Sequence, residues 1–204
     1  YLRAAQNIVI DGTINGDAYL AGGIVTVNGN VTGDLFVAGG KVTISGQVGG
    51  SIRAVGVDVT ISSSVGRNVS VVAANASFGK GSSIGGSLLA TGSNLEVYTA
   101  EIGRGFRFFG NRLYLNSAIS KEAFVVADRE FILGPNASIS GVLKYSGANQ
   151  VILEPGATVA GTIAFQKQTT NENFPRFFWS VKSHRNFSNT SALNGFDLLF
   201  CLPP

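Results

Sequence analysis

Two aspartates set 17 residues apart, Asp17 and Asp34, are the side chains of this chain best suited to chemistry. If one period of 17 is one turn of a stacked structure, the pair lies one turn apart, near the ~5 Å separation that a retaining glycosidase uses. The same position continues as Ser51, Asn68, Ser87, Gly105 and Glu122. The column therefore reads first as outward polar residues that hydrogen-bond in a turn, with a calcium or sugar contact behind that and catalysis last. His184 is the single histidine, and a lone imidazole builds no metal cluster and has no identifiable nucleophile beside it. Cys201 is the single cysteine, which excludes an intrachain disulfide and a thiol-rich metal site. The glycine phrases are followed by neither a helix start nor a Lys-Ser/Thr pair, so they are not phosphate loops. These residues point away from an enzyme and imply no cofactor and no metal.

Charge offers a second kind of site. Arg67, Arg104 and Lys121 stand where other repeats carry glycine, which predicts a basic strip along one edge. Such a strip is a solvated edge by default and a contact for anionic lipid or glycan as the functional reading. The net charge is only +3, and nucleic acid is not expected from it. Thr26, Thr43, Thr60 and Ser77 form a column like the threonine ladders of ice-binding solenoids, but it ends at Glu96 and Tyr114, which spoil a flat surface.

The elements that position these residues follow from composition and period. Of 204 residues 27 are glycine, and only 13% are charged against a usual ~25%. This is the vocabulary of strands and turns. Ile14, Val31, Val48 and Val65 recur at intervals of 17, and the ladder continues through Ile84, Ile102, Ile119, Ile139 and Val159. A second ladder runs through Ile8-Val9-Ile10, Val25-Thr26-Val27, Val42-Thr43-Ile44 and Val59-Thr60-Ile61. A third runs through Ala18-Tyr19-Leu20, Leu35-Phe36-Val37, Ile52-Arg53-Ala54 and Val69-Ser70-Val71. Three short strands per period make a three-sided coil, and stacked periods of this kind are the signature of a solenoid. Asp11-Gly12, Gly22-Gly23, Asn28-Gly29, Gly39-Gly40 and Ser45-Gly46 fall between the sides, where residues that accept positive φ or side-chain-bonded turns are needed. The fold class is all-β: one single-domain parallel β-helix, a triangular solenoid of about nine coils of 17–20 residues. Its core columns are Val25, Val42 and Val59 on one side and Val31, Val48 and Val65 on another. Right-handed crossover is favoured for parallel strands, although left-handed hexapeptide prisms exist and the broken six-residue rhythm argues against them only weakly.

The period frays after Ser77. Later coils lose glycine, gain bulk as in Phe106-Arg107-Phe108-Phe109, and carry insertions expected to bulge at corners. Gly134-Pro135-Asn136-Ala137-Ser138-Ile139 and Glu154-Pro155-Gly156-Ala157-Thr158-Val159 are nearly one phrase and mark the last two coils. We therefore place the β-helix at 1–166 and an irregular, aromatic-rich tail at 167–204. The tail holds Phe174, Phe177, Phe178 and Trp179, and it reads either as a cap over the open end or as an inter-subunit or membrane-proximal arm. The chain contains no Met, which leads us to expect a processed or truncated product in which Tyr1 follows a removed signal peptide.

The phrases Val25-Thr26-Val27-Asn28-Gly29-Asn30-Val31-Thr32-Gly33-Asp34 and Val37-Ala38-Gly39-Gly40-Lys41-Val42-Thr43-Ile44-Ser45-Gly46 resemble the bactofilin-type, polymer-forming cytoskeletal proteins of bacteria. The resemblance covers about residues 7–165 and is strongest over the first four coils. It implies a right-handed triangular β-helix that stacks end to end into filaments, often at a membrane. It also implies a location in the bacterial cell envelope or outside the cell, with a cytoplasmic, membrane-associated protein as the alternative. The frayed coils and the aromatic tail depart from that pattern and put a simple polymer in doubt. The expected partner is the chain itself, through the terminal edge around Ile8, Ile10 and Ile14 and through Phe174, Phe177, Phe178 and Trp179. A membrane surface or cell-wall glycan is a further expected partner. A non-catalytic surface adhesin or glycan-binding module is the alternative function.

Overall fold

The computed structural model describes residues 1–99 and 101–168. The chain divides into Tyr1–Thr169 and Thr170–Pro204, and the second unit, with Phe174, Phe177, Phe178, Trp179, His184 and Cys201, lies outside the described residues.

The first unit is an all-β parallel solenoid of about nine coils. Ten strands follow one another across its main sheet: Leu2–Ala4, Ala18–Val27, Leu35–Ile44, Ile52–Ile61, Val69–Phe78, Leu88–Val97, Phe106–Leu115, Ala123–Leu133, Leu143–Gly147 and Ile163–Lys167. Asn7–Ile10 and Ile152–Leu153 pair onto the same sheet. A narrow second sheet joins Ser64–Val65, Ser83–Ile84, Glu101–Ile102, Ala118–Ile119, Ser138–Ile139 and Thr158–Val159, and single bridges Ile14–Val31, Val31–Val48 and Val48–Val65 extend it. Every pairing is parallel. All three ladders read from the sequence are reproduced residue for residue.

Two of the three expected sides are halves of one bent strand. In Ala18–Val27 exposure alternates through Ala21, breaks at Gly22 and Gly23, and resumes at Val25. The pairing runs through this corner, with Gly22 opposite Gly39 and Ile24 opposite Lys41. Glycine is needed here for space rather than for positive φ, which among the described glycines occurs only at Gly16, Gly81 and Gly156. A Cβ on Gly29 would overlap the Gly12 carbonyl, and one on Gly46 would overlap the Gly29 carbonyl. The expectation of left-handed corner residues is thus corrected at most corners, where neighbouring coils approach too closely for a side chain.

The core is a set of stacked apolar files. Ile8, Val25, Val42 and Val59 lie over one another at 2% exposure or less, and the file continues through Ala76, Leu95, Leu113 and Phe131. Each such buried side chain contributes roughly 1.5–3 kcal/mol. Volume is balanced locally: Ala76 shares its coil with Phe78, and Phe106 stands over Ala123. At a buried corner, the position two before each ladder residue is Gly29, Gly46, Ser63, Ser82, Ser117 and Ala137, all small. The inserted residues sit in turns. Gly79–Ser82 closes with the Ser82 amide and hydroxyl donating to the Gly79 carbonyl, and Ala137 and Ala157 donate to the Gly134 and Glu154 carbonyls in two like turns. The last strand includes Lys167, where the sequence places the start of the irregular tail, and Gln168 donates to the Gly147 carbonyl.

Candidate functional site

The aspartate column is a hydrogen-bond ladder. The Asp34 amide donates to Asp17 Oδ1 at 2.8 Å, the Ser51 amide to Asp34 Oδ1 at 2.8 Å, and the Ser87 amide to Asn68 Oδ1 at 2.9 Å. Each side chain thus satisfies a backbone donor of the next coil at a turn where no strand partner serves it. The Ser51 amide, and then the nearby Arg67 and Arg53 charges, hold the Asp34 carboxyl below its usual value. Arg53 also pairs with Asp34 at 3.5 Å and lies 4.9 Å from the Phe36 ring centre. Asp17 and Asp34 are brought together as expected, and their geometry is that of acceptors for the fold. Among the described residues no three His, Cys, Asp or Glu side chains converge.

Two further corners bond side chain to side chain. Asn28 donates to Asp11 at one, and Asn75 to Asp58 and Asn94 to Asn75 at the other, each at 2.8 Å. These amides are committed to one another.

Among the described residues, the two outermost rungs carry backbone groups with no strand partner. The Tyr1 carbonyl and Ala5 amide bond to the strand Ala18–Val27, so alternation turns the amides of Leu2 and Ala4 away from it. Gln6 and Ile10 accept from Ile24 and Asn28, which turns Asn7 and Val9 outward likewise. At the other end Thr162 and Gln168 bond back to Leu143 and Gly147, leaving Ile163, Phe165 and Lys167 facing away. Ile8, Ile10 and Ile14 are buried at 1%, 7% and 9% exposure. They hold up the first coil from within, and the groups available to a neighbour there are the backbone of Leu2, Ala4, Asn7 and Val9.

The basic strip is interrupted. The corner column passes from Gly50 to Arg67, Gly86, Arg104, Lys121 and Gly141, so only Arg104 and Lys121 occupy neighbouring coils. Those two join a feature that the corner pattern alone did not reveal. The outward file of the adjoining side runs Leu89, Arg107, Phe124, Lys144. Together they line a groove of about 910 Å³ with Phe109 and Glu122. Phe109 and Phe124 are each 38% exposed, with ring centres 5.7 Å apart. Charge at corner positions could have signalled it only if combined with the outward residues three and five positions further along the coil.

Among the described residues there is no helix, and so none long and apolar enough to cross a membrane. No protein-family model, curated protein or solved structure matches this chain. The structure establishes a parallel β-solenoid repeat protein built of about nine stacked coils.

Proposed function

We propose that this protein is a bactofilin-like, non-enzymatic structural scaffold that assembles end to end into filaments at the bacterial cell envelope. The observation that carries the reading is the strand register, which runs to the outermost described rungs, where the amides of Leu2 and Ala4 and of Ile163 and Phe165 have no partner among the described residues. An uncovered parallel edge is a template for another chain. Joining one end to the other continues the same ladder and gives an open, non-closing assembly.

The ends also differ in a way that favours head-to-tail contact. One inward file begins at Arg3, opposite Leu20, and ends at Phe165, opposite Tyr145. Stacking like ends would set Arg3 against Arg3, whereas unlike ends set the guanidinium over an aromatic ring. The test is electron microscopy of the purified chain and of Ala4→Pro, which removes an outward-facing amide and leaves the internal bonds intact. Filaments roughly 2–4 nm wide, as expected from strand-long sides, should form with the parent chain and be lost in the variant. Monomers at high concentration, or filaments indifferent to Ala4→Pro, would count against the reading.

A further inference from the structure

The groove between the Arg104–Lys121 corner and the Arg107–Phe124–Lys144 file takes no residue from either terminal rung, its last lining residue, Lys144, standing one coil short of the strand Ile163–Lys167. Its composition is unlike the rest of the surface. Four cations and one carboxylate, Glu122, line it together with two exposed phenylalanine rings. Among the described residues the one ion pair is Arg53–Asp34, so none of these four cations forms an ion pair with a described carboxylate. Their spacing is periodic: Arg104 and Lys121 are one coil apart, while Arg107 and Lys144 are two apart, or roughly 5 and 10 Å.

We propose that this groove binds a linear acidic polysaccharide. Cations repeated along the rod suit a polymer with repeated carboxylates better than a single anion. Tilted rings lying in a concavity offer faces to the C–H surface of a sugar. A bilayer anchor would instead need rings that project. Glu122 decides among polyanions. Against lipid headgroups or a phosphodiester chain it adds repulsion, whereas against a sugar it accepts hydrogen bonds from hydroxyls.

The test is titration calorimetry of the full chain with galacturonic acid oligomers of about ten units, since a pattern two coils long needs an extended ligand. Binding should appear with the acidic oligomer, be absent with the uncharged galactose oligomer, and weaken as salt rises from about 50 to 300 mM. Arg107→Ala with Lys144→Ala should weaken it at least tenfold and Phe124→Ala several-fold. Lys41→Ala, outside the groove, and Ala4→Pro, at the rod end, should leave it unchanged. Glu122→Gln should bring up binding to single-stranded DNA, a gain that a merely structural carboxylate would not produce. No binding of the acidic oligomer, equal affinity in the double variant, or tighter binding to anionic vesicles or single-stranded DNA would overturn the proposal.

Discussion

The first four coils and the last four are built on one register but by different means. From Ile8 to Val72 the period holds at 17, corners are mostly glycine, and files such as Val25, Val42, Val59 repeat one side chain. Adjacent backbones approach so closely that a Cβ at Gly46 has no room. From Ser77 onward the intervals widen to between 17 and 20, corners take serine or alanine, and phenylalanines are matched by alanines above or beside them. The early coils achieve order by identity and the late coils by complementation. The late coils place arginine, lysine and phenylalanine together along one groove.

The comparison can be broken first in the late core. Phe108→Ala removes a fully buried ring whose file neighbours are Ala90 and Val125. It should cost about 3–5 kcal/mol in denaturant unfolding, because nothing nearby can fill the cavity. The early corners should break almost as severely. Gly46→Ser, which borrows the residue found at the same corner in Ser117, should cost about 3 kcal/mol, while Gly12→Ala, with no atom within 4 Å of the new Cβ, should change stability by less than about 0.5 kcal/mol. Equal costs at Gly12 and Gly46 would refute the steric account of the corners.

Smaller effects sharpen the picture. Asp34→Ala strands the Ser51 amide and should cost about 1–2 kcal/mol, whereas Asp34→Asn keeps the acceptor, as Asn68 does two coils on. The charge adds a pH term. Asp34 has a lowered folded value, so its contribution is present above the unfolded pKa near 3.8 and is lost as pH falls through the folded value. A thermal-shift series on Asp34→Asn should lack that acid-side loss. Tyr145 in the late core has a buried hydroxyl without a hydrogen-bond partner among the described residues, and burial, then Asp128, raises its pKa. Tyr145→Phe should therefore be neutral or stabilise by about 1 kcal/mol, as read from the unfolding midpoint.

The ladders were legible because parallel stacking puts equivalent positions in contact, so the register is written directly as recurrence of Ile and Val. Asp17 and Asp34 were legible for the same reason: their column continues as Ser and Asn, which do the same hydrogen-bonding work. The reason for the corner glycines was not, since the sequence cannot distinguish a glycine required by its own φ from one required by the carbonyl a coil below. The Ser63, Ser82, Ser117 corner was missed because its burial depends on the width of the turns leading into it. The groove was missed for a related reason. Arg107 and Phe124 are adjacent only across coils, and Gly86 breaks the corner series that had been read as a continuous strip.

The central claim is that the hydrogen-bonded ladder along the rod continues from one molecule into the next. X-ray fibre diffraction from oriented assemblies of the purified chain tests it most directly. A reflection near 4.8 Å along the filament axis is the result the account predicts. The same spacing perpendicular to that axis, as side-by-side packing of rods would produce, would contradict it.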